Sequence, residues 1–157
     1  MDAISGVILH VDDDQLMRES LSALLHSDGH IVSSAASGTE AIQLASDGLR
    51  PDVLIVDFDL GQRMNGAETA EQIHQLLNYS PPIMMLSGDL ARARFPRITE
   101  GMVWRASKPF NPRLLLSAIR NFVHLSRVTR ELALRERGLG RDAHAASGSK
   151  YRLPISG

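Results

Sequence analysis

The 157-residue chain contains no cysteine, which excludes disulfides and thiolate metal sites and removes redox chemistry as a guide to compartment. It has no apolar run near the roughly 18 residues a membrane span needs, and no charged-then-apolar amino terminus. A protein of the cytoplasm, with no membrane association, is the expectation. There is also no basic excess where a core can form. Residues 1–124 carry 10 basic and 15 acidic side chains, net −5, while residues 125–157 carry 7 basic and 3 acidic, net +4. A mildly acidic globular part argues against direct nucleic-acid binding, which rests on neutralising phosphates with Lys and Arg. At this length one domain is expected, and 43% hydrophobic residues suffice for its core.

What is present is an apolar run ending in acids, Val7-Ile8-Leu9-His10-Val11-Asp12-Asp13-Asp14, and a second, Val53 to Val56, ending on Asp57. Near-continuous apolar runs of this length read as strands buried on both faces of a parallel sheet. Further strands are expected over 30–36, 83–86 and 102–107. Helices are expected over Gln15–Ser27, with Leu16, Leu21, Leu24 and Leu25 inward, over 40–46, over 67–77, with Ile73, Leu76 and Leu77 inward, poorly over 90–100, where Pro96 interrupts, and from Pro112. Asp14 is placed to cap the first of them. Strict alternation of five strands and five helices implies an α/β fold, a five-stranded doubly wound parallel sheet with five flanking helices.

Ligands of such sheets bind at the carboxyl ends of the strands. Asp12, Asp13, Asp57, Ser87 and Lys108 all fall there. Carboxylates crowded at one edge repel unless a cation sits among them, and hard oxygen ligands suit Mg²⁺. Metal-assisted chemistry with phosphate is the implied use.

Beyond residue 124 the last helix can continue through Arg127 and Glu131 to Arg137, where Gly138 and Gly140 should stop it. Residues 1–124 are therefore expected as the domain, 125–137 as a helical extension and 138–157 as a disordered tail. Ala118, Leu125 and Leu132 recur every seven residues with Val128 between, which offers a surface for a homodimer.

The acidic pair Asp12-Asp13, Asp57, Ser87 and Lys108-Pro109, in that order on those elements, resemble the receiver domain of two-component response regulators, over about residues 5–124. The resemblance implies the flavodoxin-like receiver fold. It implies Asp57 as phosphoacceptor, taking a phosphoryl group from a sensor histidine kinase or histidine phosphotransfer protein. Asp13 and Asp57 would ligate Mg²⁺, with the backbone carbonyl of Asp59, while Asp12 would hold a coordinated water. Lys108 would add positive charge at the phosphate, and the Ser87 hydroxyl a hydrogen bond. With 33 residues after His124, no effector domain is expected there. Output would pass by conformational change to a protein target, from a stand-alone regulator or a module of a hybrid kinase, and not by catalysis of its own.

Two departures from the family pattern bear on output. Leu60 to Gly66 replaces the usual Met-Pro after the phosphoacceptor, and Arg105 stands where an aromatic is usual, with Trp104 shifted by one. Two other readings compete. Asp57-Phe58-Asp59 has the nucleophile–acid/base spacing of haloacid-dehalogenase phosphatases, but Asp12-Asp13 precede the lysine where that class places its metal acids after it. A receiver fold kept only as a binding module is the third.

Overall fold

The computed structural model describes residues 4–61, 63–91 and 101–147. Its elements run β1 (Val7–Val11), α1 (Gln15–Ser27), β2 (Ile31–Ala35), α2 (Gly38–Ser46), β3 (Val53–Asp57), α3 (Gly66–Leu76), β4 (Ile83–Ser87), β5 (Val103–Ser107) and α4 (Pro112–Ser147). The five strands form one parallel sheet in the order β2-β1-β3-β4-β5. This is the flavodoxin-like arrangement expected. Four helices occur among the described residues, and the poor helix expected over 90–100 lies almost wholly outside them.

Period-two alternation sorts the strand side chains into two cores. Leu9, Val11, Leu54, Val56, Ile83 and Met85 pack against Ala41 and Ala45 of α2 and Ala67, Ala70 and Ile73 of α3. Ile8, Ile55, Met84, Leu86 and Ala106 pack against Leu21 and Leu25 of α1 and Leu115, Ile119 and Val123 of α4. Being covered on both faces, β3 and β4 are buried throughout. The strand ends and helix starts are fixed by side-chain caps. Asp14 accepts from the Met17 amide, Ser37 from that of Glu40, and Asn65 and Glu68 form a reciprocal capping box. Two expected core residues are on the surface. Leu16 is exposed because it sits five residues before Leu21, well off the buried stripe, and Leu76 is exposed at the last position of α3.

The last helix departs most from expectation. It passes Gly138 and Gly140 and ends at Ser147. A glycine costs a helix only about 1 kcal/mol relative to alanine, and Leu139, Arg141 and the Ala143–Ala146 stretch are mostly good helix formers. Nor is the extension detached from the domain. Asp52, buried at the start of β3, accepts a hydrogen bond from the Val7 amide and an ion pair from Arg130 at 2.8 Å, with Arg127 at 3.5 Å. The Arg130 guanidinium also lies 4.3 Å over the Tyr79 ring. Residues 148–157, the remainder of the expected tail, lie outside the described residues. No described helix is long and apolar enough to cross a membrane.

His10, fully buried on β1, has no hydrogen-bond partner at either ring nitrogen. Burial lowers its pKa from 6.5 to about 4, against the pull of Asp12 and with the repulsion of Lys108 and Arg18. As pH falls below 6.5 the unfolded chain takes up the proton first, so stability drops between pH 6.5 and 4. Linkage puts the loss between pH 7 and 4.5 at about 2 kcal/mol. Urea unfolding of His10→Leu should lack that part of the pH dependence. An unchanged slope would show that His10 is not held neutral.

Candidate functional site

Four strand ends and the loops that follow them build the site. Asp57 closes β3 and is only 5% exposed. Its Oδ1 accepts from the Asp59 amide at 3.0 Å, and its Oδ2 from Lys108 Nζ at 2.9 Å. Asp12, fully buried just after β1, accepts from the Asp14 amide through Oδ1 and from the same Lys108 Nζ through Oδ2, both at 2.9 Å. Lys108 thus bridges two carboxylates carried by neighbouring strands. Asp13 is solvent-exposed, and carboxylate oxygens of Asp12, Asp13 and Asp57 lie within 4.8 Å of one another.

Charge at this edge does not balance within the protein. The three carboxylates within 4.8 Å of one another, set against the one ammonium that bridges two of them, leave −2. Burial pushes the Asp57 carboxyl above the ordinary carboxylate range, against the hydrogen bonds from Lys108 and the Asp59 amide. Burial likewise works to discharge Lys108, but its hydrogen bonds to Asp57 and Asp12 outweigh that and hold the ammonium above its usual pKa. The residues therefore fit a divalent cation: a hard oxygen donor set, a matching residual charge, and an open side at Asp13 where water and substrate can enter.

Ser87 ends β4, buried, with its Oγ 3.4 Å from an Asp59 carboxylate oxygen and accepting from the Asp89 amide at 3.1 Å. All the residues expected to act together, Asp12, Asp13, Asp57, Asp59, Ser87 and Lys108, are therefore gathered at one edge. Arg105 is exposed on β5 opposite Met85. Trp104 points to the other face, edge-on to Phe122 of α4 with ring centroids 6.4 Å apart.

Three supporting positions were not apparent from sequence. Arg18, one turn into α1, donates through Nη1 to the Asp12 carbonyl at 2.8 Å. Gly61, at φ 57°, carries the loop over Asp13, and a Cβ there would lie 2.8 Å from an Asp13 carboxylate oxygen. At Gly66 a Cβ would lie 2.1 Å from the Asp57 carbonyl oxygen, while the Gly66 amide donates to the Phe58 carbonyl at 3.1 Å. Only the Asn-Gly that opens α3 hinted at the last of these.

A parallel five-stranded sheet with paired acids after β1, an acid ending β3, a hydroxyl ending β4 and a lysine after β5 defines a receiver module. The family model described as response regulator receiver domain matches residues 8–120, and the chain belongs to that family, the receivers of two-component regulatory systems. Response regulator MprA of Mycobacterium leprae is 33% identical over 113 residues, covering 72% of this chain and 49% of its own length. Among solved structures, chemotaxis protein CheY4 of Vibrio cholerae is 28% identical with TM-score 0.65, covering 76% of this chain and 99% of that one. A CheY-like response regulator receiver domain protein from Methanospirillum hungatei is 26% identical with TM-score 0.69, covering 80% and 99%. The chain spans about half the length of the curated relatives it matches.

Proposed function

We propose that the chain is a phosphoaccepting switch, with Asp57 as the acceptor. A carboxylate oxygen of Asp57 attacks the phosphorus of a phosphohistidine on a sensor histidine kinase or histidine phosphotransfer protein. The phosphorus–nitrogen bond breaks, imidazole leaves, and an acyl phosphate remains on Asp57. Asp13, Asp57 and the Asp59 backbone carbonyl would hold Mg²⁺, with Asp12 positioning a water. Bound there, the metal supplies positive charge that offsets the charge of the phosphoryl oxygens.

Lys108 holds Asp12 and Asp57 apart at a fixed spacing before transfer and presents a positive charge to the phosphate after it. The Ser87 hydroxyl, weakly held at 3.4 Å from Asp59, is free to turn to a phosphate oxygen. Its loop would follow, passing the change to a protein target, which makes the chain a cytoplasmic signalling module and not an enzyme. The observation that carries this reading is the single Lys108 ammonium shared by Asp12 and Asp57, with a third carboxylate within reach.

Incubation with Mg²⁺ and beryllofluoride, followed by NMR, tests it. Slow-exchange shifts spreading from Asp57 to Ser87 and Lys108, absent with a chelator, are expected. Rapid multiple turnover of a small phosphodonor would instead indicate a phosphatase, and no response to either reagent a binding module only.

A further inference from the structure

Two cavities adjoin at the end of the sheet opposite Asp57, between the loop that follows α3 and the last helix. The first, about 370 Å³, is walled by Tyr79, Pro82, Met102 and Leu125, with Ser126 among them. The second, about 300 Å³, gathers Arg50, Arg130 and Arg137. Tyr79 and Arg130 line both. The Tyr79 hydroxyl donates to the Pro51 carbonyl at 2.9 Å, and Arg130 lies over its ring, so this shared wall is fixed in place.

Ser126 stands out in the first cavity. It is 5% exposed, yet its Oγ has no hydrogen-bond partner among the described residues. A helical hydroxyl commonly bonds back to a carbonyl one turn earlier, as Thr129 does to Leu125 at 2.9 Å. A buried hydroxyl left unpaired in an apolar cavity is a seat for the polar edge of a ligand. The second cavity is positive. No carboxylate is among the described residues that line either one. Arg130 is paired with the buried Asp52, but Arg50 donates only to the Ala45 and Leu49 carbonyls, and neither it nor Arg137 meets a carboxylate among the described residues. Guanidiniums in that state suit a phosphate, which they grip through two hydrogen bonds at once.

The two features are set a ligand's length apart. Ser126 and Ala133 are about 10 Å apart along α4. Arg137 reaches back to the level of Ala133, because helical side chains lean toward the amino terminus. That separation is close to the reach of a nucleoside monophosphate from base edge to phosphate. We propose that the two cavities together bind a nucleotide. Its base lies in the first cavity against Pro82 and Leu125, with a polar edge on the Ser126 hydroxyl, and its phosphate lies between Arg50 and Arg137. The site is at the far end of the sheet from the acidic cluster and needs no divalent cation, so this inference stands apart from the phosphoacceptor assignment.

Isothermal titration calorimetry of the full chain in the presence of a chelator, with AMP, GMP, CMP and UMP in turn, tests it. Saturable one-to-one binding of at least one of them is expected, with the matching nucleoside and inorganic phosphate each at least roughly tenfold weaker. Arg137→Glu should weaken the nucleotide by at least roughly tenfold. Arg113→Glu, the same change of charge at the opposite end of α4, should not. Ser126→Ala should also weaken binding while leaving stability to urea unchanged or raised, because it removes an unpaired buried hydroxyl. Asp57→Asn should bind as the native chain does. No binding of any of the four, equal affinity for inorganic phosphate, equal loss in Arg113→Glu, or a Ser126→Ala protein that loses stability and keeps its affinity would each overturn the proposal.

Discussion

Replacing Lys108 by alanine is expected to cost the metal-free protein about 3–5 kcal/mol at neutral pH, the range for removing one partner of a buried ion pair. Its ammonium lies 2.9 Å from both Asp12 and Asp57, and neither carboxylate can turn to solvent. Two consequences separate this loss from ordinary packing damage. Saturating Mg²⁺ should stabilise Lys108→Ala more than the native chain, because the residual charge at the site rises from −2 to −3. In the presence of a chelator, the variant should also recover stability as pH falls. Asp57, already held above the ordinary carboxylate range by burial, loses the cation that pulled it down. Its folded pKa rises further, and protonation then favours the folded state. Urea unfolding in chelator and in Mg²⁺ at two pH values checks both points. Equal Mg²⁺ increments in the two proteins would mean that Lys108 and the metal do not act on the same charge.

Gly66→Ala should damage the site without touching a charged group. An added Cβ would sit 2.1 Å from the Asp57 carbonyl oxygen and 3.0 Å from the Phe58 Cα, both backbone and so unable to swing aside. Either the start of α3 moves off the sheet or the end of β3 moves with Asp57. Overpacking of this kind costs about 1–3 kcal/mol, and the upper end is expected because the capping box of Asn65 and Glu68 is tied to the same turn. Mg²⁺ affinity should fall along with stability. By contrast, Gly88→Ala, where a Cβ meets nothing within 4 Å, should leave both within experimental error. A Gly66→Ala protein with native stability and native Mg²⁺ binding would contradict the close approach of the α3 start to Asp57.

Much of this architecture is legible in the sequence because burial on both sheet faces leaves so plain a mark. Val53 to Val56 and Ile83 to Leu86 are unbroken apolar runs, and the residue that ends each run must stand at the strand's carboxyl end. Asp12, Asp57 and Ser87 follow from that rule alone, whereas Lys108 follows a mixed, half-exposed strand marked only by Gly101 before it and Pro109 after it. Tertiary pairings carry no such mark. Nothing in the spacing of Arg18 announces its bond to the Asp12 carbonyl, nor does local sequence reveal that Asp52 receives Arg130 from 78 residues away. By residue type alone Gly138 and Gly140 are helix stops, whereas the helix sums propensity over its whole last stretch. Residue type alone places Leu16 in the core, whereas its angle on α1 faces water. His10 is legible as a buried strand residue but not as an unpartnered imidazole, since that depends on which side chains the fold gathers round it.

Asp57 is the proposed acceptor of a phosphoryl group, with a divalent cation held by its neighbours. Mass spectrometry of the peptide containing Asp57, after incubation of the whole chain with a small-molecule phosphodonor and Mg²⁺, tests it most directly. One added phosphoryl group on that peptide is expected, removed by hydroxylamine as an acyl phosphate should be, missing in Asp57→Asn and missing when a chelator replaces Mg²⁺. Labelling that persists in Asp57→Asn, or in full strength with the chelator, would contradict the assignment of both the acceptor and the metal.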